Sequence, residues 1–191
     1  HTGLFINHTL WNRNSDRVYF FVRGGWSKRM TNKGDRVNTP CSINVDGTDL
    51  VLHDTFIGGH PEWGTEGNII IGSKKGKDRS KEKQVLYNID TRKIFGQLGN
   101  PDIFPKPEGD ISLSPDGNWF ANGYGKSSAN YYTIYRMSDG AYAKSEGISK
   151  GSYSGDIRID PAPRWNRTND AILVPGISKN GTRQMFMIRV E

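Results

Sequence analysis

The amino-acid sequence predicts an all-β chain arranged as a β-propeller. Gly, Asn, Asp, Pro and Ser interrupt the chain about every ten residues, and no long stretch keeps apolar side chains at helical spacing. The chain also repeats itself: segments 8–20, 60–70, 110–120 and 162–172 each read as a strand, a polar turn and a second strand. They recur about every 50 residues, a period typical of four-stranded propeller blades.

Between the interruptions lie short runs rich in β-branched and aromatic residues, which we interpret as strands. The clearest runs are 17–22, 68–71, 84–89, 118–121, 131–135, 171–174 and 184–190. Many of these strands are separated by two-residue turns whose residues tolerate a positive φ: Asp46-Gly47, Asp116-Gly117, Asp139-Gly140 and Asn180-Gly181. Such pairs favour tight hairpin turns.

The repeat divides the chain into four predicted four-stranded blades, at approximately 1–55, 56–105, 106–155 and 156–191. Their first strands are expected to begin near His8, His60, Asp110 and Ala162. Propellers usually close with about four to eight blades, so we expect these four to be part of a six- to eight-bladed wheel. An incomplete wheel exposes apolar blade faces, which predicts association with a missing half or with a second copy.

Composition restricts the functional classes. No apolar run is long enough for a membrane span, and the single cysteine, Cys41, excludes an internal disulfide. The net charge of +6 favours an acidic partner. The densest basic run, residues 74–83, lacks the aromatic side chains of a strand-binding groove, so we interpret it as a solvated hairpin loop and predict no nucleic-acid partner. The usual hydrolase, kinase and dehydrogenase motifs are missing.

Several segments resemble the blades of oligogalacturonate-lyase-like propellers, which are related to TolB-like periplasmic propellers. The resemblance extends over nearly the whole chain, and its matching segments are 7–12, 44–50, 60–63, 112–120, 163–167 and 183–186. Their order is similar to the C-terminal half of such a protein, and the resemblance favours a periplasmic or secreted location. Motifs such as Ser114-Pro115-Asp116-Gly117 occur in many propellers and specify fold better than chemistry.

The resemblance implies β-elimination on an acidic, uronate-containing oligo- or polysaccharide. A channel-facing base removes the C5 proton, and positive charge stabilises the intermediate. His8 and His60 occupy equivalent blade positions and are therefore candidates to share one channel; Arg164 is the candidate partner of the substrate carboxylate. The structural alternatives are that each histidine only bonds a neighbouring blade and that Arg164 braces adjacent blades.

The resemblance also implies a divalent cation, but a three-histidine site cannot be built here because Asp110 and Ala162 stand at two of the repeat positions. The remaining set is His60, Asp110 and Asp160, whose mixed nitrogen and oxygen donors suit Mn²⁺ or Ca²⁺ better than structural zinc.

The other candidate residues also have structural explanations. Arg158 could bind a carboxylate, and Tyr124 could stack on a sugar ring or donate a proton, although strand packing explains an aromatic residue equally well. One repeat position carries Trp11, Trp63 and Trp165, which predicts three inter-blade anchors. We assign His53 to the surface of an inter-blade loop.

Two functions therefore compete. One is a polysaccharide lyase, supported by the register of His8 and His60. The other is a non-catalytic propeller that binds a protein or a glycan, supported by the loss of histidine at Asp110 and Ala162.

Overall fold

The computed structural model describes residues 3–25, 37–75 and 82–190. Its strands form four consecutive antiparallel sheets. Blade 1 contains β1 (Phe5–Trp11), β2 (Arg17–Gly24), β3 (Val37–Asn44) and β4 (Val51–Leu52); blade 2 contains β5 (Gly58–Trp63), β6 (Ile69–Lys74), β7 (Lys83–Asn88) and β8 (Lys93–Leu98). Blade 3 contains β9 (Ile111–Leu113), β10 (Trp119–Lys126), β11 (Ala129–Arg136), β12 (Tyr142–Lys144) and β13 (Ile148–Ser149); blade 4 contains β14 (Arg164–Trp165), β15 (Ala171–Ile177) and β16 (Arg183–Arg189).

This architecture confirms the predicted propeller fold. In blade 3, β12 and β13 both pair with β11 and act as one interrupted outer strand. Blade 4 has three strands in the described part of the chain, where four were predicted. The only helical turn in the described ranges is a 3-10 helix at Gly155–Ile157. No helix in those ranges is long and apolar enough to cross a membrane.

Apolar side chains fill the space between consecutive blades. Three clusters lie at the junctions of blades 1 and 2, 2 and 3, and 3 and 4, and they are represented by Phe21 with Ile70, Ile71 with Phe120, and Ile134 with Ile172. Neighbouring residues of a strand point to opposite faces of the sheet. Each strand in the middle of the array therefore contributes apolar side chains to the two inter-blade junctions on either side of it. The core therefore consists of layers between sheets.

Two of the three repeated tryptophans anchor a blade to the one before it. The indole Nε1 of Trp63 donates to the carbonyl of Leu10 at 2.9 Å, and that of Trp165 donates to Ser112 at 3.1 Å. Trp11, in contrast, is 61% exposed, and its anchoring role stays a prediction. Blade 1 is the first blade, and no preceding blade among the described residues covers its outer face.

His53 was predicted wrongly, because it is buried and not a surface residue. Its Nδ1 lies 2.9 Å from the hydroxyl of Tyr87 in blade 2, and its Nε2 lies 3.0 Å from the hydroxyl of Ser42 in blade 1. The loop after β4 thus places a polar side chain between two blades, where both ring nitrogens find partners. Burial, aided by the charge of Arg92, lowers the pKa of His53 to about 4.

The predicted hairpin loop at residues 74–83 lies mostly outside the described residues. Lys74 ends β6 and Lys83 begins β7, and these residues pair with each other. The conformation of the basic run between them stays a prediction.

Candidate functional site

The first strands of all four blades meet around one pocket of about 240 Å³. It is lined by His8, Leu10, His60, Pro61, Glu62, Asp110, Ile111 and Arg164. The strand contacts run from β1 to β5, from β5 to β9 and from β9 to β14, so the repeat brings residues about 50 positions apart into one site. All three residues predicted to be catalytic are among the lining side chains.

Local irregularities in two first strands position the histidines. The pairing of β1 with β2 shifts between Asn7 and Leu10, and His8 has a φ of 51°. The pairing of β5 with β6 shifts between Gly58 and Glu62, next to His60. Bulges of this kind break the simple alternation of a strand and redirect side chains, and they are common beside functional sites.

Gly59 permits the second irregularity. Its φ is 71°, and an added Cβ would lie 3.1–3.2 Å from the backbone of Glu108. Glycine is therefore favoured here both for its conformation and for the close approach of another chain segment.

The His8 and His60 rings contact each other edge to face, with ring centres 5.2 Å apart. His8 also contacts the Phe21 ring, and its Nδ1 is buried without a hydrogen-bond partner in the described structure. Burial lowers the pKa of His8, and the positive charges of Arg23 and His60 lower it further, although Asp110 opposes them. The neutral imidazole is therefore favoured at His8.

His60 is in the opposite electrostatic situation. Its Nδ1 lies 2.9 Å from Oδ1 of Asp110, and an isolated parallel bridge joins the two backbones. This hydrogen bond raises the pKa of His60, and it outweighs the effect of burial. The carbonyl of Asp110 accepts from the backbone N–H of Gly123 at 2.7 Å, which fixes the carboxylate-bearing residue on blade 3.

Glu62 is a site residue that the sequence analysis missed. It lines the same pocket, and burial raises the pKa of its carboxyl group, while Arg164 and Arg13 lower it. The available signal was its position on the first strand of blade 2, two residues after His60.

Arg164 reaches the pocket while also contacting the backbone. Its Nη1 lies 3.0 Å from the carbonyl of Pro163 and 3.4 Å from that of Ile111 in blade 3. The contact with Ile111 fits the bracing alternative, and the position on the pocket wall fits the binding role. Both roles are compatible because a guanidinium group has five N–H donors.

Arg158 and Asp160 lie outside this pocket lining. Arg158 Nε donates to Asp160 Oδ1 at 2.7 Å, and both side chains are exposed. The predicted metal set is thus split: His60 and Asp110 contact each other, whereas Asp160 is paired with Arg158. Residues 3–25, 37–75 and 82–190 contain no group of three His, Cys, Asp or Glu side chains arranged to hold a metal ion. As placed, the three residues do not form a common coordination site, and the cation stays a prediction.

Tyr124 is buried and stacks on Tyr131, with ring centres 5.6 Å apart and planes inclined by 19°. Burial and the neighbouring Tyr131 raise the pKa of Tyr124. This environment matches the packing alternative better than a proton donor that reaches the pocket.

Solved structures share this arrangement of blades. TolB from Acinetobacter baumannii matches with a TM-score of 0.62 and 12% sequence identity over 97% of this chain. The fold is a β-propeller, similar to that of TolB. The propeller domain of the trilobed protease from Pyrococcus furiosus matches with a TM-score of 0.52 and 11% identity over 98% of the chain, and an acylaminoacyl peptidase with 0.54 and 12% over 97%.

These likenesses concern the fold alone, because the identities are low. The chain spans 41% of the length of that TolB, 58% of the Pyrococcus domain and 31% of the peptidase. No protein-family model and no curated protein matches the chain. The comparisons support a TolB-like propeller and give no support to the lyase resemblance.

Proposed function

We propose that this chain is a binding propeller whose inner-strand pocket holds an acidic ligand, with a carboxylate-bearing glycan as the preferred class. The observation that carries the proposal is the convergence of His60 and Arg164 on one pocket, where the hydrogen bond to Asp110 raises the pKa of His60 and favours its charged form. Two cationic side chains on a concave surface favour a carboxylate ligand. The TolB-like fold fits a binding role without requiring catalysis.

The size and composition of the pocket fit part of a chain-like ligand. About 240 Å³ is somewhat smaller than a typical small-molecule site, and Leu10, Pro61 and Ile111 give it an apolar side. A sugar ring presents both an apolar face and hydroxyl groups, so one ring could use both kinds of wall. The chain's net charge of +6 would attract a polyanionic glycan from a distance.

Binding is tested by calorimetry with a galacturonic-acid oligomer and with the neutral galactose oligomer of the same length. The wild type should bind the acidic oligomer more tightly, and Arg164→Gln should weaken that binding by about tenfold, or about 1.4 kcal/mol. Arg183→Gln is the matched control, because Arg183, on β16 of blade 4, lies over the Tyr153 ring and does not line the pocket. Equal binding of both oligomers, or equal losses in both variants, would contradict the proposal.

A second candidate function is β-elimination at the same pocket, and the inequivalence of the two histidines favours it. Environments that move the pKa values of two neighbouring groups apart are typical of acid–base pairs. Neutral His8 would take the C5 proton of the uronate. The C4–O bond would then break as the C4=C5 double bond forms, and the leaving oxygen would take a proton from His60. Arg164 would pair with the uronate carboxylate.

Catalysis is distinguished from binding by the ultraviolet absorbance of the unsaturated product. A lyase should produce this absorbance from polygalacturonate, and His8→Ala should abolish it while leaving the melting temperature nearly unchanged. A chain that binds the acidic oligomer but yields no absorbance from a panel of uronate polymers is a binding propeller only.

A further inference from the structure

Another pocket, of about 260 Å³, lies between the start of β7 and the segment 101–108 that leads into blade 3. Glu82 and Glu108 both line it, and their carboxyl groups are neighbours. The Glu82 side chain is only 8% exposed, and its Oε1 is buried without a hydrogen-bond partner in the described structure. Glu108 is exposed. Two carboxyl groups thus meet where one is almost removed from water and the other is open to it.

Two neutral side chains beside this pair also have unpaired oxygen atoms. Ser73 pairs with Gln84 across β6 and β7, and Glu82 precedes Gln84 by two residues, so the three side chains share one face of the sheet. The Gln84 Oε1 and the Ser73 Oγ are both buried and have no hydrogen-bond partner in the described ranges. Buried polar atoms are normally satisfied by protein, water or an ion. Three such oxygens on one face therefore point to a bound species.

The neighbouring contacts bring these oxygens together. Gln84 Nε2 donates to the carbonyl of Pro107 at 2.7 Å, which fixes the amide and leaves Oε1 as its unpaired end. Pro107 directly precedes Glu108. Ser73 lies beside the Glu82 carboxyl group, as Glu108 does. Both neutral oxygens are thus adjacent to the carboxyl pair.

The basic side chains nearby do not neutralise this pair. Burial raises the pKa of Glu82 and the charge of Glu108 raises it further, while the charge of Lys75 lowers it without outweighing them. Lys106 also lines the pocket, but its Nζ donates to the carbonyl of Gly125 in blade 3 at 2.6 Å. Neither glutamate belongs to a salt bridge within residues 3–25, 37–75 and 82–190. The site therefore favours a cation from outside the chain.

We propose that Glu82 and Glu108 bind a calcium ion at the junction of blades 2 and 3, with Gln84 and Ser73 as neutral ligands and water completing the shell. The donors are all oxygen, which excludes the nitrogen and sulfur preference of zinc. Calcium accepts six to eight oxygen ligands in flexible geometry, whereas magnesium requires a near-ideal octahedron. With only two acidic ligands, the site differs from a cluster of three His, Cys, Asp or Glu side chains.

The position of the ion gives it a structural role. It fastens the segment 101–108 to the sheet of blade 2. The backbone of Glu108 packs against Gly59, and Asp110 follows two residues later and contacts His60. The ion thus holds the stretch that carries Asp110 into the inner-strand pocket, and it is separate from the cation predicted at His60, Asp110 and Asp160.

The test is calorimetry and thermal unfolding with calcium chloride alone, on the wild type, Glu82→Gln and Glu108→Gln. The wild type should bind one Ca²⁺ with a Kd of about 0.1–1 mM, typical of extracellular sites. At about 10 mM Ca²⁺ its melting temperature should rise by about 3–10 °C. Each variant should bind at least about tenfold more weakly. Without Ca²⁺ both variants should be as stable as the wild type or more so, because the contact between like charges is removed.

Two controls locate the site. Glu146→Gln removes an exposed carboxylate of blade 3 far from the pocket lining and should keep the full response to Ca²⁺. Asp110→Asn should keep it as well, since Asp110 belongs to the inner-strand pocket. A wild type that does not bind Ca²⁺, an unchanged response in Glu82→Gln and Glu108→Gln, or a response lost only in Asp110→Asn would overturn the proposal.

Discussion

His60 and Asp110 join the inner strands of blades 2 and 3 through a 2.9 Å contact between Nδ1 and Oδ1. His8 contacts the ring of His60, and in the described part of the chain its buried Nδ1 has no hydrogen-bond partner. Two histidines that the repeat places in equivalent positions are thus chemically different. The difference arises because blade 3 has an aspartate where blades 1 and 2 have a histidine.

This contact predicts separate titrations. NMR should give His60 a pKa above 6.5 and His8 a pKa below 6.5. In Asp110→Asn the pKa of His60 should fall, because the hydrogen bond to the carboxylate is lost while burial remains. His53, which is remote from Asp110, should keep its pKa of about 4 as an internal control. Coincident titration of His8 and His60 would show that the contact does not persist in solution.

His53 predicts a loss of stability in acid. Its pKa is about 4 in the folded protein and 6.5 in the unfolded chain, so the unfolded chain binds more protons between these values. The contribution of neutral His53 to the free energy of unfolding is complete above pH 6.5 and is lost as the pH falls towards 4. It amounts to about 3 kcal/mol, and urea denaturation at several pH values measures it.

The control for this prediction is His53→Gln, which removes the titrating group. Its stability should depend less on pH between 6.5 and 4 than that of the wild type, although its stability at pH 7 should be lower. Parallel pH profiles for both proteins would mean that another group causes the loss.

The close approach of the chain at Pro161 leaves no room for a side chain at position 123. A Cβ at this position would overlap the carbonyl of Pro161, a backbone atom that cannot move aside as a side chain can. Gly123→Ala should therefore destabilise the fold by about 3 kcal/mol. Gly3→Ala is the control, because an added Cβ there meets nothing within 4 Å, and it should change stability by less than about 0.5 kcal/mol. Equal melting temperatures for the two variants would disprove the limit.

The sequence predicted the fold because a repeated blade records its period directly. His8, His60 and Arg164 could be placed in one pocket for the same reason, since equivalent first strands converge. Asp110 was predicted only as a metal ligand, and its hydrogen bond to His60 depends on side-chain geometry that spacing does not contain. Glu62 lies two residues after His60, on the same side of β5 by strand alternation, but the residue type alone does not separate a pocket carboxylate from a solvated one.

The exposure of Trp11 and the burial of His53 have a common cause. Burial at an inter-blade position depends on whether a neighbouring blade is present, and sequence pattern records only the residue type. Trp11 has the same residue type as Trp63 but no neighbouring blade in the described structure. His53 has a polar residue type, yet Tyr87 and Ser42 satisfy both of its ring nitrogens.

The most direct test of the proposed ligand pocket is an NMR titration of the histidine side chains with a galacturonic-acid oligomer. The ring signals of His8 and His60 should shift with ligand concentration, while those of His53 should not, because His53 is buried between blades 1 and 2. Unchanged His8 and His60 signals at saturating ligand, or shifts confined to other parts of the chain, would contradict the claim that this pocket binds the acidic ligand.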